Sequence, residues 1–269
     1  MRADRPSFTA RWVAARRVQL ASSRTSTPTG DVEGERALYE DVSNPLLLAL
    51  ARPAGFAQRT AFIDGEIAAA IGRGVEQVVI LGAGYDGRAM RFGGGATRWF
   101  EVDYPSTQAD KRRRLDALGL TPGHVAYVPI DLLDRNSDLG GALEAAGHDA
   151  SAPTLFIGEG LLPYLTLEAS AVMLRTLRER TPESGGSALV ATFLVAPAPH
   201  DLLLAVHHAR DVWFRALGEA RRQEFQPGDP EKLFVVTGWR AVRSMSRQAS
   251  RINREQQMLV LAGEPGPLR

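Results

Sequence analysis

The chain has 269 residues, 44% hydrophobic, 23% charged and 7% aromatic, with a net charge of +1 and no cysteine. That length fits one large α/β domain with embellishments, or one domain with a small cap, and the composition can bury a sizeable core. The charge balance makes no case for nucleic acid as a main partner, and the missing cysteine excludes disulfides, zinc–thiolate sites and cysteine nucleophiles.

Near the N-terminus Arg2, Arg5, Arg11, Arg16 and Arg17 are not followed by an apolar core or a small-residue cleavage site. No run approaches the roughly 18 apolar residues of a membrane span. The expectation is a cytoplasmic protein with no membrane partner. Residues 1–21 read as helical, with Phe8, Trp12, Ala15 and Leu20 at loosely helical spacing. Residues 22–34 read as a polar loop. Helical signals return from Glu35 to Leu50, interrupted at Asn44-Pro45. Residues 58–73 predict an amphipathic helix with Phe62, Ile63, Ile67 and Ile71 roughly on one side.

A strand–helix rhythm then begins. Predicted strands are 78–81, 99–103, 125–130, 154–159 and 188–195, with helices over 87–92, 105–118, 139–147 and 167–180 between them. This alternation predicts a doubly wound, mostly parallel sheet. Residues 197–222 read as one or two helices, and 225–233 as a turn-rich loop. FVVTGW (234–239) reads as a helix end or a short strand, and 256–262 as a last strand. The expected organisation is an N-terminal helical cap region over 1–73 and an α/β domain over 74–269. A substrate-cap insertion is placed around 196–232. The helices that precede the first strand are expected to fold over the C-terminal edge of the sheet, where ligands sit.

Gly82, Gly84 and Gly87 spell G-x-G-x-x-G straight after the first predicted strand. That pattern serves a dinucleotide, but glycines that admit a ligand to the backbone serve S-adenosylmethionine equally, so alone it is a weak signal. Glu101 and Asp103 end the second strand at the distance where an acid grips ribose hydroxyls, which fits both cofactors. Asp86 inside the turn would repel a pyrophosphate, or it would cap the next helix. Asp131 follows the third strand. It would accept from an adenine or substrate amine, or cap the next segment. Glu159 ends the fourth strand and faces the ligand crevice. Three acidic strand ends suit a cationic ligand better than a dianion.

The runs QVVILGAGYDGRAMRF, WFEVDYPSTQADKRRRL, PIDLLD and LFIGEGLLPYLT resemble the leucine carboxyl methyltransferase family, nearest to its bacterial branch. TARWVAARR, QRTAFIDGEI and GWRAV are similar to that branch too, so the likeness runs along nearly the whole chain. In that family the position of Gly87 usually carries a small hydroxyl residue, which makes the third glycine an accidental match. The resemblance implies a class I methyltransferase-like (Rossmann-like) α/β fold and S-adenosyl-L-methionine as cofactor. It implies that Gly82 and Gly84 shape the loop under the methionine part, and that Arg59 pairs with the cofactor carboxylate. Asp103 would hold the ribose, with Glu101 supporting the strand end. Asp131 and Leu132 would meet the adenine, and Glu159 the methionine ammonium. On its residues alone, Arg59 reads as an exposed helix charge.

The run Lys111-Arg112-Arg113-Arg114 reads as a solvated helix face. His200, His207 and His208 are candidate general bases, or ordinary surface or core histidines. Tyr164 would touch the substrate or simply pack, and Trp213 and Phe214 would line an apolar pocket or sit in the core. Adjacent His207 and His208 point about 100° apart on a helix, which disfavours one shared metal, and no metal is expected. The reading is an O-methyltransferase acting on a carboxylate or hydroxyl of a small molecule, carboxylate slightly favoured. The rivals are an NAD-dependent oxidoreductase and a non-methylating protein that binds the same cofactor. No motif encodes the identity of the acceptor or the oligomeric state.

Overall fold

The computed structural model describes residues 54–93, 95–120, 122–195, 221–246 and 257–266, together with Ala10 and Val13. The predicted elements over 1–50 and 197–220 lie outside these residues, apart from Ala10 and Val13, which are both helical.

The described elements run α1 (Ala54–Gly72), β1 (Gln77–Leu81), α2 (Arg88–Arg91), β2 (Arg98–Asp103), α3 (Pro105–Ala117), β3 (Val125–Pro129), α4 (Leu139–Ala145), β4 (Thr154–Gly158), a 3-10 turn (Leu162–Tyr164), α5 (Leu167–Glu179), β5 (Ala188–Val195), α6 (Asp229–Val236), β6 (Trp239–Ser246) and β7 (Gln257–Pro265). The seven strands form one sheet in the order β3-β2-β1-β4-β5-β7-β6. The first five are parallel, whereas β7 runs antiparallel to β5, and β6 antiparallel to β7.

The central strands are buried on both faces, which parallel sheets require and which explains their near-continuous apolar runs. Val79, Leu81, Phe100, Val102 and Phe156 face one layer, with Leu139 and Leu143 of α4, Met173, Leu174 and Leu177 of α5, and Leu233 and Phe234 of α6. Val78, Ile80, Trp99, Leu155 and Ile157 face the other, with Ile63, Ile67 and Ala70 of α1. Helix α1 is therefore a layer of the sheet, although it belongs to the region expected as a cap. β1 pairs with β2 on one side and β4 on the other, so the strand order reverses there. In open α/β sheets ligands bind in the crevice outside the C-terminal strand ends at such a reversal.

Two predicted elements differ. The expected loop 225–233 contains the start of α6, because Pro230 stands in the first helical turn. That position asks for no backbone N–H and suits the fixed φ of proline. FVVTGW is both things at once: α6 ends at Val236 and β6 begins at Trp239. Trp239 is buried, and its indole N–H donates to the Leu174 carbonyl at 2.9 Å. The rest of β6 is an edge strand whose residues 240–244 are exposed, so it lacks the apolar run that marks the central strands.

His148 closes the end of the sheet opposite the crevice. It is buried, with its ring centroid 5.3 Å from that of Phe100 and 5.8 Å from that of Phe156. Its Nε2 lies 3.1 Å from Thr154 Oγ1, and Arg180 Nε donates to its Nδ1 at 3.2 Å. Accepting from a guanidinium requires the neutral ring. Burial, reinforced by Arg180, lowers its pKa to about 4. The unfolded ring titrates near 6.5, so this contribution is complete above about pH 6.5 and is lost as pH falls toward 4. Between pH 7.5 and 5 the melting temperature of the wild type should fall more than that of His148→Gln. Equal falls would show that His148 does not carry the acid sensitivity.

Candidate functional site: the C-terminal ends of β1, β2 and β4

The loop after β1 needs its first two glycines. Gly82 has φ +63° and Gly84 φ +51°, a region L-residues disfavour. A Cβ on Gly82 would stand 3.0 Å from Leu161 Cδ1, and one on Gly84 2.9 Å from Ala10 Cβ. The loop thus passes between Leu161, in the segment after β4, and Ala10. Gly87 has φ −96°, an ordinary conformation for any residue. The three glycines are not conformationally equivalent, in keeping with an accidental third match.

Asp103 ends β2 beside this loop and is buried. Its Oδ2 accepts the Gly84 N–H, and its Oδ1 accepts the Tyr104 N–H at 2.6 Å. The carboxylate is oriented by backbone on both sides. Glu101 lies two residues earlier and is also buried. Burial pushes its carboxyl pKa up, and Lys111 offsets only part of this. Lys111 Nζ donates to Glu101 Oε2 at 2.5 Å and to the Asp86 carbonyl at 2.6 Å. This corrects the solvated-face reading at Lys111, whereas Arg112 and Arg113 are exposed. Lys111 is 1% exposed and ties α3 to both the strand end and the glycine loop. Arg113 and Arg114 pair with Asp110 instead of standing free.

Arg59 is not the exposed helix charge that its sequence context suggests. It is buried on α1, and its Nε donates to Glu159 Oε1 at 2.6 Å. Glu159 Oε2 accepts from Arg88 Nη1 at 2.5 Å. Arg88 is wholly buried at the start of α2. Its Nε donates to Asp64 Oδ1 at 2.6 Å, and Nη1 also donates to Asp86 Oδ2 at 2.8 Å. Asp64 Oδ2 further accepts from Arg91 at 3.0 Å. Burial opposes the Arg88 charge, but Asp86, Glu159 and Asp64 together outweigh it and hold its pKa well above the ordinary value. Among the described residues this is a neutral set of three cations and three carboxylates. Asp86 is therefore no bare charge in the turn: its Oδ1 takes the Arg88 N–H at 2.9 Å and its Oδ2 the guanidinium. The repulsion expected against a pyrophosphate loses its basis; Asp86 is not the N-cap of α2, which is Gly87, but it accepts that helix's first N–H. Sequence reasoning missed Arg88. The available signal was an arginine directly after a glycine turn, where a helix start buries it.

Asp131 does not cap a helix. Its Oδ1 accepts the Leu133 N–H at 2.9 Å in a turn, and α4 is capped by Asp138, which accepts the Gly141 N–H at 2.8 Å. Leu132 is partly buried against the core layer of Phe100 and Val102. Tyr164 ends the 3-10 turn that follows Glu159 and is partly buried. His200, His207, His208, Trp213 and Phe214 lie outside the described residues. Among the described residues no group of three or more His, Asp or Glu side chains is placed to hold a metal ion.

The strand order, with its reversal at β1 and its antiparallel β7, defines a class I methyltransferase fold. A structure titled as a "putative methyltransferase" from Thermobifida fusca superposes with a TM-score of 0.56 at 17% identity, covering 98% of this chain and 96% of that one. Magnesium protoporphyrin IX methyltransferase from Synechocystis PCC 6803, with bound SAH, gives 0.52 at 14% identity over 87% and 94% of the two chains. At such identities the likeness is one of fold. The family model described as leucine carboxyl methyltransferase matches residues 12–178, and the chain belongs to that family. A relative from Mycobacterium sp. strain KMS, described as "Putative S-adenosyl-L-methionine-dependent methyltransferase", is 39% identical over 164 residues, 59% of this chain and 52% of its own length. One from Streptomyces coelicolor, similarly described, is 32% identical over 194 residues, 68% of this chain and 61% of its own. The chain thus spans about half to three-fifths of the length of these curated relatives.

The Lys111–Glu101 pair supports the loop and strand end without facing solvent. Lys111→Met leaves a buried carboxylate unpaired and should destabilise the fold by about 3–5 kcal/mol in urea unfolding. Adding Glu101→Gln should restore part of that loss. No recovery would assign the effect to the lost bond with the Asp86 carbonyl.

Proposed function

We propose that this chain is an S-adenosyl-L-methionine-dependent methyltransferase that acts on an oxygen of a small molecule, with a carboxylate favoured over a hydroxyl. The observation that carries the reading is the buried Arg59–Glu159 pair beside Gly82, Gly84 and Asp103 at the switch point. The amino-acid end of the cofactor is a zwitterion, and this pair is its complement: guanidinium for the carboxylate, carboxylate for the ammonium. Its entry leaves the local charge balance unchanged. The glycine loop offers backbone free of side chains, and Asp103 is pre-oriented to accept from ribose hydroxyls. Asp131, with Leu132 beside it, is the adenine-side acceptor.

When bound, the cofactor supplies a methyl group already activated by the sulfonium. What remains for the protein is to hold the acceptor oxygen in line, about 3 Å from the methyl carbon, and to exclude water. A carboxylate acceptor is ionised at neutral pH and needs no base, and the carboxyl chemistry in the family's name agrees with it. A hydroxyl acceptor would call on a base, for which His200, His207, His208 and Tyr164 remain the candidates. We place acceptor selection in the residues that precede α1 and around 196–232. Ala10 against the glycine loop supports the first placement. We hold the protein to be cytoplasmic, with neither nucleic acid nor membrane as a partner. In support, Lys111, Arg113 and Arg114 of the basic run on α3 are engaged by Glu101 and Asp110, and no described helix is long and apolar enough to cross a membrane. The oxidoreductase alternative rests on the glycine pattern alone.

Calorimetric titration with S-adenosyl-L-methionine and NADH tests the reading. Binding of the first and not the second is expected; NADH binding alone would overturn it. Asp103→Ala should weaken cofactor binding by tenfold to a hundredfold (about 1.5–3 kcal/mol for charge-assisted bonds). Near-wild-type affinity would remove Asp103 from the ribose role. With a carboxylate acceptor, the methylated product should release methanol in mild alkali, and an alkali-stable product would point to an ether.

A further inference from the structure

Glu159 accepts from two guanidiniums. Arg59 donates to Oε1, and Arg88 donates to Oε2. Arg59 is needed elsewhere when a zwitterion arrives, because it is the proposed partner of the entering carboxylate. Arg88 cannot leave. It is wholly buried, anchored at Nε by Asp64 and at Nη1 by Asp86, and Asp86 also takes its backbone N–H. Its Nη2 is buried with no acceptor among the described residues, so the described carboxylates do not saturate it. A buried donor of that kind usually finds a partner, from the protein or from a ligand.

We propose that Arg88 is a positioning residue for the amino-acid end of the cofactor. It keeps Glu159 paired and aimed while Arg59 exchanges Glu159 for the cofactor carboxylate. It also couples that site to the glycine loop, since Arg88 opens the helix that follows the loop. The inference rests on the proposed function. Lysine is a poor substitute because a point charge lacks the planar fork that reaches Asp64, Asp86 and Glu159 together.

The test compares two ligands that share the nucleoside: S-adenosylhomocysteine, which carries the amino-acid end, and 5′-methylthioadenosine, which lacks it. Wild type should bind the first more tightly. Arg88→Met should weaken S-adenosylhomocysteine by about tenfold or more, as expected for breaking a buried charge pair. Its affinity for 5′-methylthioadenosine should stay within about threefold, which also shows that the variant is folded. Arg88→Lys should show a smaller loss, again confined to S-adenosylhomocysteine, and is the variant read if Arg88→Met does not unfold cooperatively. Equal losses for both ligands would make Arg88 a purely structural residue and overturn the proposal, as would no loss for either. Wild type that binds neither ligand would instead defeat the proposed function. Wild type that binds both equally would remove the amino-acid end from this site, and the role of Arg88 with it.

Discussion

Strand β1 must be covered on both faces and hydrogen-bonded on both edges, and the rest of the molecule follows from that constraint. All five of its residues are buried. Covering two faces requires helices above and below the sheet, and α1 lies on one side while α4, α5 and α6 lie on the other. Pairing both edges puts β2 on one side and β4 on the other, so the chain must wind outward twice from the same strand. The two windings separate at the C-terminal end of β1, and that separation makes room for a ligand.

The same constraint explains where the charges lie. Strand ends are the first positions that polar groups can occupy, and Asp103, Glu159 and the loop residue Asp86 gather there. Unpaired carboxylates so close together and so poorly solvated would repel each other and favour protonation. The structure meets them with Arg59, Arg88, Lys111 and backbone N–H groups. These partners come from α1, α2 and α3, so the polar site also fixes how the helices sit around the strand ends. Such pairs contribute little net stability once desolvation is counted. What they fix is orientation, because a carboxylate held by two partners has its direction set by both.

Much of this was legible in the chain. Strands β1, β2, β4 and β5 appear within a residue or so of their predicted ends, because burial on both faces leaves an uninterrupted apolar run. Beyond Trp239, which the FVVTGW run contained, strand β6 did not show itself, because an edge strand with Arg240, Val242 and Arg243 exposed has no such run. Helix α6 hid behind Pro230, whose reading as a turn residue and as a first-turn residue is the same in sequence. Lys111 looked like its neighbours Arg112 to Arg114. Helical rotation turns one member of the run inward, and nothing local says which one finds a carboxylate.

By itself the sequence determined the alternation of strand and helix, the parallel sheet, the glycine loop, and which acids stand at strand ends. These are local properties, written in the spacing of apolar residues and in residue types that tolerate particular backbone angles. Only the tertiary structure decided which charges meet. Arg59 and Glu159 are 100 residues apart, and Arg88 and Glu159 are 71 apart. A charge carries no sign of its partner along the chain; the partner is chosen when two windings of a sheet bring their strand ends together.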